Sequence, residues 1–499
     1  MSGRAVRTIA LLGSVCLIAL GASASVHAAR RPAKCFGLVA TIVGDSGDNV
    51  LNGTEGDDVI NAKGGADKIL AVGGDDIICG GKGRDVVDAG DGDDVLLGGG
   101  DSDALQAGPG DDLLRGQGGD DTIDGREGDL DIVDYSVAAV PIQANMESNR
   151  ITGQGTDSVF GVEVVFGSAF DDVMTTSGVG NSLFGGGGND RLNGSVGDDT
   201  LEGGPGDDAI SGATGFDAIS FFEATAPVTV DLAAGTATGE GSDSVTGIEL
   251  IFGSEFNDML RGNDASNVIA GMGGNDVLEG RGDLDVMAFP FTTGGISVDM
   301  SLGTTSGQGS DTFTTIEGVY GSPFDDTLIG DNSANAFYGD LGNDTMRGLG
   351  GDDYFLPDQG NDDIDGGDGS YDIIDFDFSS AAVNVSLATG TSTGEGTDKI
   401  AGIEGVGGSA FNDVLEGGTN GEVLLGGFGD DLLRGRDGDD FLNGGGDVDF
   451  GDGGPGFDNC SGNEDGANCE DQASPPIQPL LVRSRALAGA SKRAHKRAH

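Results

Sequence analysis

Histidine is nearly absent from this chain: its three copies are His27, His495 and His499. The long interval between the first two therefore lacks Ser-His and Cys-His nucleophilic designs and histidine zinc sites. Carboxylate pairs of the kind that cleave glycosides stay open in principle, but no pair stands out among so many acidic residues. Basic residues are also scarce, with 25 Lys and Arg against 85 Asp and Glu and a net charge of −60. Such a polyanion repels nucleic acid and suits a polyvalent cation. Tryptophan is missing and aromatics make up 6% of the chain. High charge with few aromatics would normally suggest disorder, yet Val, Ile and Leu return too regularly for that. The 97 glycines come with 12 prolines and no strict triplet, which excludes collagen.

Only one apolar run is long enough to notice. Residues 9–20 follow Arg4 and Arg7 and precede small-residue cleavage sites at 26–28 and 22–24. Residues 1–28 are therefore expected to be an export signal, the run being too short for an ordinary membrane span. Cleavage leaves Cys35, Cys79, Cys460 and Cys469. An even number in an exported protein suggests two disulfides. Of the three pairings allowed, Cys35–Cys79 with Cys460–Cys469 is preferred because each bridge then stays at one end of the chain. A free thiol is the alternative.

What the chain has in place of these residues is a beat. Residues 44–124 divide without gaps into nonapeptides such as GGKGRDVVD and AGDGDDVLL. Their sixth position holds Asn49, then Asp58, Asp67, Asp76, Asp85, Asp94, Asp103, Asp112 and Asp121. Their eighth holds Leu51, Ile60, Ile69, Ile78, Val87, Leu96, Leu105, Leu114 and Ile123. Six residues of turn, with glycine supplying positive φ, leave three for a short strand. Side chains alternate along a strand, so position eight faces a core while Val86 and its equivalents face out. One repeat cannot bury a single residue, but a stack can, and the period therefore implies a solenoid.

These residues resemble the RTX, or haemolysin-type calcium-binding, repeat GGxGxDxUx, where U is a large aliphatic residue; repeats of that kind form calcium-binding β-helices. The resemblance implies an all-β, right-handed parallel β-roll with two nonapeptides per turn and multiple Ca2+ ions between stacked loops. The chemistry agrees, since calcium takes six to eight oxygen ligands and one loop offers a single carboxylate. Carboxylates stacked at the strand spacing of about 4.8 Å repel by roughly 1 kcal/mol per pair in water and more near a protein surface. A cation between them reverses the sign. Later nonapeptides extend the set of candidate metal ligands to Asp190, Asp199, Asp208, Asp276, Asp344, Asp353, Asp362, Asp431, Asp440 and Asp458.

A longer repeat is superposed. GQGTD, GEGSD, GQGSD and GEGTD begin at 153, 239, 307 and 394. GSAFDD, GSEFND, GSPFDD and GSAFND follow at 167, 253, 321 and 408. Four gap-free blocks of 36 residues start at Asp131, Asp217, Asp285 and Asp372. VTVDL at 228–232 and ISVDM at 296–300 alternate like strands. The blocks are expected to be irregular continuations of the solenoid, with separate small domains as the competing reading. The division expected is signal 1–28, N-terminal cap 29–43, first array 44–130, modules 131–216, 217–284 and 285–371, module four with the C-terminal cap at 372–472, and a basic tail 473–499.

That tail carries Arg483, Arg485, Lys492, Arg493, Lys496 and Arg497 and no acidic residue. It is expected to be disordered, or else to anchor the protein to an anionic cell envelope or to an acidic neighbouring copy. The RGD tripeptide at 281–283 is a chance product of a Gly- and Asp-rich repeat. No stretch of domain size escapes the repeats, so no attached enzyme is expected. The sequence points to a secreted, non-catalytic, calcium-stabilised protein, structural or surface-associated, with calcium ions as partners and cell-envelope polymers or extracellular glycans as further ones. A carbohydrate-binding or adhesive module is the alternative, and an enzyme acting on polysaccharides through carboxylates alone is a distant third.

Overall fold

The computed structural model describes residues 33–469, apart from 127, 129, 179, 463 and 464. The expected signal at 1–28 and the basic tail at 473–499 lie outside the described residues. Every regular element among the described residues is a strand, most of them three residues long. That length follows from the repeat, because six turning residues leave only positions seven to nine. Parallel partners stand 18 residues apart, as in Val59 with Ile77, Ile78 with Leu96 and Leu105 with Val87. Two nonapeptides thus complete one turn, and successive repeats fall alternately into two parallel sheets. The fold is a parallel β-roll.

The described residues divide into two compact units, one of 33–224 with Ala234–Leu250 and the other of Thr225–Ala233 with 251–469. In the first, the position-eight side chains Ile60, Ile69, Ile78, Val87, Leu96, Leu105, Leu114 and Ile123 are fully buried between the sheets. In the second, Leu260, Leu328, Met346, Leu415, Leu433 and Leu442 do the same. Leu51 is only half-buried. Val86, at position seven, is 44% exposed, as strand alternation requires. Burying one Leu or Ile contributes about 2 kcal/mol, whereas ordering nine backbones costs about 1–2 kcal/mol each. The core alone falls well short, and the difference must come from the loops and the sheet ladders.

The 36-residue blocks continue both sheets and enlarge one of them. In the first block, Ile132–Asp134 and Val164–Phe166 pair with each other in parallel. Between them, Gln143–Asn145, Arg150–Thr152 and Thr156–Phe160 form an antiparallel meander. Its outer strands pair in parallel with Val173–Thr175 and Thr122–Asp124. Three strands thus stand where a nonapeptide places one. The third and fourth blocks do the same with Ser297–Asp299, Thr304–Ser306 and Thr312–Thr314, and with Asn384–Ser386, Thr391–Thr393 and Thr397–Ala401. The reversal turns on a left-handed residue at one fixed offset from each block's start: Asn149, Gly235, Gly303 and Gly390, with φ between 53° and 68°.

The chain ends of the described region are stapled. Cys35 is bonded to Cys79 and Cys460 to Cys469, with Cα atoms 5.7 and 5.6 Å apart. This is the pairing preferred from the sequence. At the N-terminal end, Lys34–Cys35 and Leu38–Val39 form an antiparallel hairpin, and Phe36 lies 5.3 Å from the guanidinium of Arg115.

Candidate metal centre

Each position-six aspartate is placed by the strand that follows it. Its side chain turns back into the six-residue loop, and all eighteen expected from the sequence are buried. One carboxylate oxygen has a repeated partner: the backbone N–H of Asp58 donates to Oδ1 of Asp76 at 2.7 Å, that of Asp76 to Asp94 at 2.7 Å, and that of Asp94 to Asp112 at 2.7 Å. On the other edge the same ladder runs from Asp67 to Asp85, Asp103 and Asp121 at 2.8 Å. Each aspartate is thus a rung that clips one coil to the next.

The second oxygen sorts the loops into two kinds, and position two decides which. In most loops position two is left-handed: Lys63 at φ 74°, Val72 at 92°, Gly81 at 106° and Gln117 at 69°. There Oδ2 of Asp67, Asp76, Asp85, Asp94, Asp103, Asp112 and Asp121 is buried with no hydrogen-bond partner. The same holds for Asp190, Asp208, Asp276, Asp344, Asp353, Asp362, Asp431 and Asp440. In the other kind position two is not left-handed, and its N–H caps the carboxylate. Thr54 donates N–H and Oγ to Asp58 Oδ2 at 2.9 and 3.0 Å. Ser168 donates N–H to Asp172 Oδ2 at 2.5 Å and Oγ to Oδ1 at 2.9 Å. Asp58 therefore differs from its neighbours in the array, with both oxygens engaged. Asp199 sits in a loop with left-handed Ser195 at φ 61°, but its Oδ2 accepts from Thr176 Oγ1 at 3.3 Å.

The loops are tight around these oxygens. A Cβ on Gly80 would fall 2.6 Å from Asp85 Oδ2, so this coil needs glycine or a local shift there, although Ala62, Ala71, Ala89 and Ala107 hold position one in other loops of the array. A Cβ on Gly83, at φ 101°, would fall 2.1 Å from the Gly65 carbonyl of the preceding coil. Confinement and neighbouring charge act together on the carboxylates. Burial first, then the field of Asp76, Asp75 and Asp93, pushes Asp94 up from 3.8 to about 7. Burial and the charges of Asp131, Asp94 and Asp93 push Asp112 to about 8. Asp344 reaches about 9 for the same kinds of reason. Such groups favour a positive partner, and among the described residues no lysine or arginine forms an ion pair with these three.

No three acidic, histidine or cysteine side chains converge among the described residues. An ion here would be held by single carboxylates of stacked loops, hard oxygens that fit calcium and not zinc or copper. Seven segments, 41–69, 70–105, 97–129, 184–219, 252–287, 320–355 and 425–460, match the family model of the RTX calcium-binding nonapeptide repeat. The chain carries RTX repeats. No curated protein matches it. The repeats make it a calcium-binding β-roll, and the orphaned Oδ2 atoms fit the ion that the repeats imply. Calcium bound in these loops would neutralise the aspartate columns and tie adjacent coils together.

Several RTX-like positions escaped the sequence reading. GSAFDDVMT, at 167–175, is itself a nonapeptide, with Asp172 at position six and buried Met174 at position eight. Asp258, Asp326 and Asp413 are its equivalents, and Asp131, Asp217, Asp285, Asp372 and Asp449 also occupy the buried ladder. Phenylalanine replaces the turn glycine in the GSxF copies, which hid the period. A second ladder at position five was missed too: Asp75 N–H donates to Asp57, Asp93 to Asp75 and Asp111 to Asp93, at 3.1–3.2 Å, opposite in sense to the position-six ladder. Its sequence signal is the recurrent Asp-Asp or Asn-Asp dipeptide. Arg281 of the RGD tripeptide is held by Asp231 through two contacts of 2.9 and 2.8 Å. Among the described residues no helix is long and apolar enough to cross a membrane.

Proposed function

We propose that this is an exported, non-catalytic protein whose β-roll is ordered by extracellular calcium and serves as a structural or surface-associated component outside the cell. The observation that carries the reading is the column of buried carboxylate oxygens without partners, Asp67 to Asp121 and their later equivalents. A chain that places so many like charges 18 residues apart along two edges is poorly stable without a cation. Millimolar calcium, at dissociation constants of roughly 0.1–1 mM for extracellular modules, contributes about 0.4–1.4 kcal/mol per site. Ten or more sites reach about ten kcal/mol, the stability of a whole domain. Calcium at that level is found outside cells, which agrees with the signal-like residues 1–28 and with an even number of cysteines in the remaining chain.

The test is circular dichroism of the purified chain without residues 1–28, stripped by chelator and titrated with calcium and, separately, magnesium. The expected result is a cooperative gain of β-structure with calcium and a poor response to magnesium, which demands a tighter shell. A fully β-structured spectrum in chelator that calcium leaves unchanged overturns the reading. Recovery of the protein from the culture medium or cell surface of its source is expected, and its retention in the cytoplasm contradicts the extracellular role.

A further inference from the structure

The capped loops are not scattered. They occur as neighbours, two nonapeptides at a time, and two nonapeptides are one complete turn. In the coil at 44–61, Asp45 N–H caps Asn49 at 2.8 Å and Thr54 caps Asp58. In 167–184, Ser168 caps Asp172 and Ser177 caps Asn181 at 3.1 Å. In 253–270, Ser254 and Asn263 cap Asp258 and Asn267 at 2.6 and 2.7 Å. In 321–338, Ser322 and Asp331 cap Asp326 and Asn335 at 2.6 and 2.8 Å. In 408–425, Ser409 and Gly418 cap Asp413 and Glu422 at 2.5 and 3.1 Å. The last four coils each follow directly on a 36-residue block.

We propose that these five coils order without calcium and divide the calcium sites of the chain into separate runs. The proposal rests on the reading that calcium orders the remaining loops. Protein donors take the place of the ion in the capped coils. In the four GSxF loops one serine serves both carboxylate oxygens, with its N–H on one and its Oγ on the other. The block adds a third donor: Ile142 N–H reaches Asp172 Oδ1 at 2.7 Å, Val228 reaches Asp258 at 2.8 Å, Ile296 reaches Asp326 at 2.8 Å and Val383 reaches Asp413 at 2.8 Å. A carboxylate with two or three donors is satisfied where it lies. In four partner loops asparagine replaces aspartate, at 49, 181, 267 and 335, which removes the charge that calcium would neutralise, and in the fifth Glu422 keeps its charge but accepts from Gly418 and Asn420 N–H at 3.1 and 3.0 Å. In a stack where each coil touches only its neighbours, a coil that needs no ion supplies a ready edge for the next. Asp58 accordingly drops out of the metal ligands, and the runs are 62–131, 185–217, 271–285, 339–372 and 426–458.

Hydrogen exchange read by mass spectrometry on the full chain, in chelator and in 5 mM calcium, tests this. Peptides from 167–184, 253–270, 321–338 and 408–425 are expected to stay protected in chelator, while peptides from 76–121 exchange freely and gain protection with calcium. Ser168→Gly removes the Oγ donor and frees position two to turn left-handed. The peptide over 167–175 is then expected to exchange about tenfold faster in chelator and to recover in calcium. If all peptides respond to calcium alike, or Ser168→Gly changes nothing in chelator, the partition is wrong while calcium-dependent ordering stands. If no peptide responds to calcium anywhere, the calcium reading fails and this proposal with it.

Discussion

Asp94→Asn separates the two tasks of a position-six carboxylate. Oδ1 of Asp94 accepts the Asp76 N–H at 2.7 Å, and asparagine keeps that acceptor. Oδ2 is buried and unpartnered, and asparagine puts a neutral amide there. At pH 8 the charge on a group raised from 3.8 to about 7 costs the metal-free fold roughly 4 kcal/mol, at about 1.4 kcal/mol per pH unit. The new amide, left without an acceptor, costs about 1–3 kcal/mol. In chelator the coil around residue 94 should therefore gain about 1–3 kcal/mol. In 10 mM calcium the variant forfeits a site, and one site with a dissociation constant of about 0.1 mM is worth about 2.7 kcal/mol. The stabilisation that calcium brings should shrink by that amount. The assay is local opening measured by hydrogen exchange in peptides spanning 86–105, because an array of repeats does not unfold as two states. An unchanged calcium increment, or a variant less stable than the parent in chelator, would refute the assignment of Oδ2 to the ion.

Protons should imitate calcium weakly. The raised carboxylates, Asp94 and Asp103 at about 7 and Asp112 and Asp276 at about 8, bind protons more tightly folded than unfolded. Their contribution to the metal-free fold is full below about pH 4 and is lost as pH rises through 6–8, so chelated protein should show more β-structure by circular dichroism at pH 5 than at pH 8. Gly80→Ala, whose Cβ would sit 2.6 Å from Asp85 Oδ2 and 2.7 Å from the Gly98 carbonyl, should raise the calcium midpoint for its coil. Leu96→Ala, at a fully buried position, should cost about 2–5 kcal/mol locally in calcium, whereas Val86→Thr on the outer face should cost under about 1 kcal/mol, both read by exchange.

Much of the β-roll was legible because its period is rigid. A nonapeptide with Asp at six and Leu or Ile at eight implies a stack, and the 18-residue register of Ile78 with Leu96 matches the two repeats per turn that the RTX resemblance implies. The disulfides were legible for a similar reason, since each bridge spans one end of the stack. The meander in the blocks was not. VTVDL and ISVDM announced strands, but the antiparallel reversal depends on Asn149, Gly235, Gly303 and Gly390, four residues in a chain where glycine is everywhere. The two kinds of loop were also hidden. Nothing in the aspartate itself distinguishes Asp58 from Asp67; the difference lies four residues earlier, where Thr54 is not left-handed and Lys63 is.

That difference has an energetic direction. A left-handed residue other than glycine costs of order 1 kcal/mol or more, and Val72 at φ 92° is β-branched, the least tolerant type. The same conformation turns the position-two N–H away from the carboxylate and leaves Oδ2 buried alone. An open loop with a residue other than glycine at position two thus carries two costs, one in the backbone and one in an unpartnered charge, and neither improves the metal-free fold; where glycine stands there, as at Gly81, only the second remains. Both become useful if Oδ2 is a ligand, because the N–H that would otherwise neutralise it has been moved aside. The capped coils show the cheaper arrangement that the same nonapeptide reaches when position two is not left-handed, as at Thr54, Ser168 and Asn263. The costly conformation at Lys63, Val72, Gln117, Arg281, Leu349 and Arg436 is what the calcium reading expects of loops whose geometry serves a bound ion and not the stability of the empty loop.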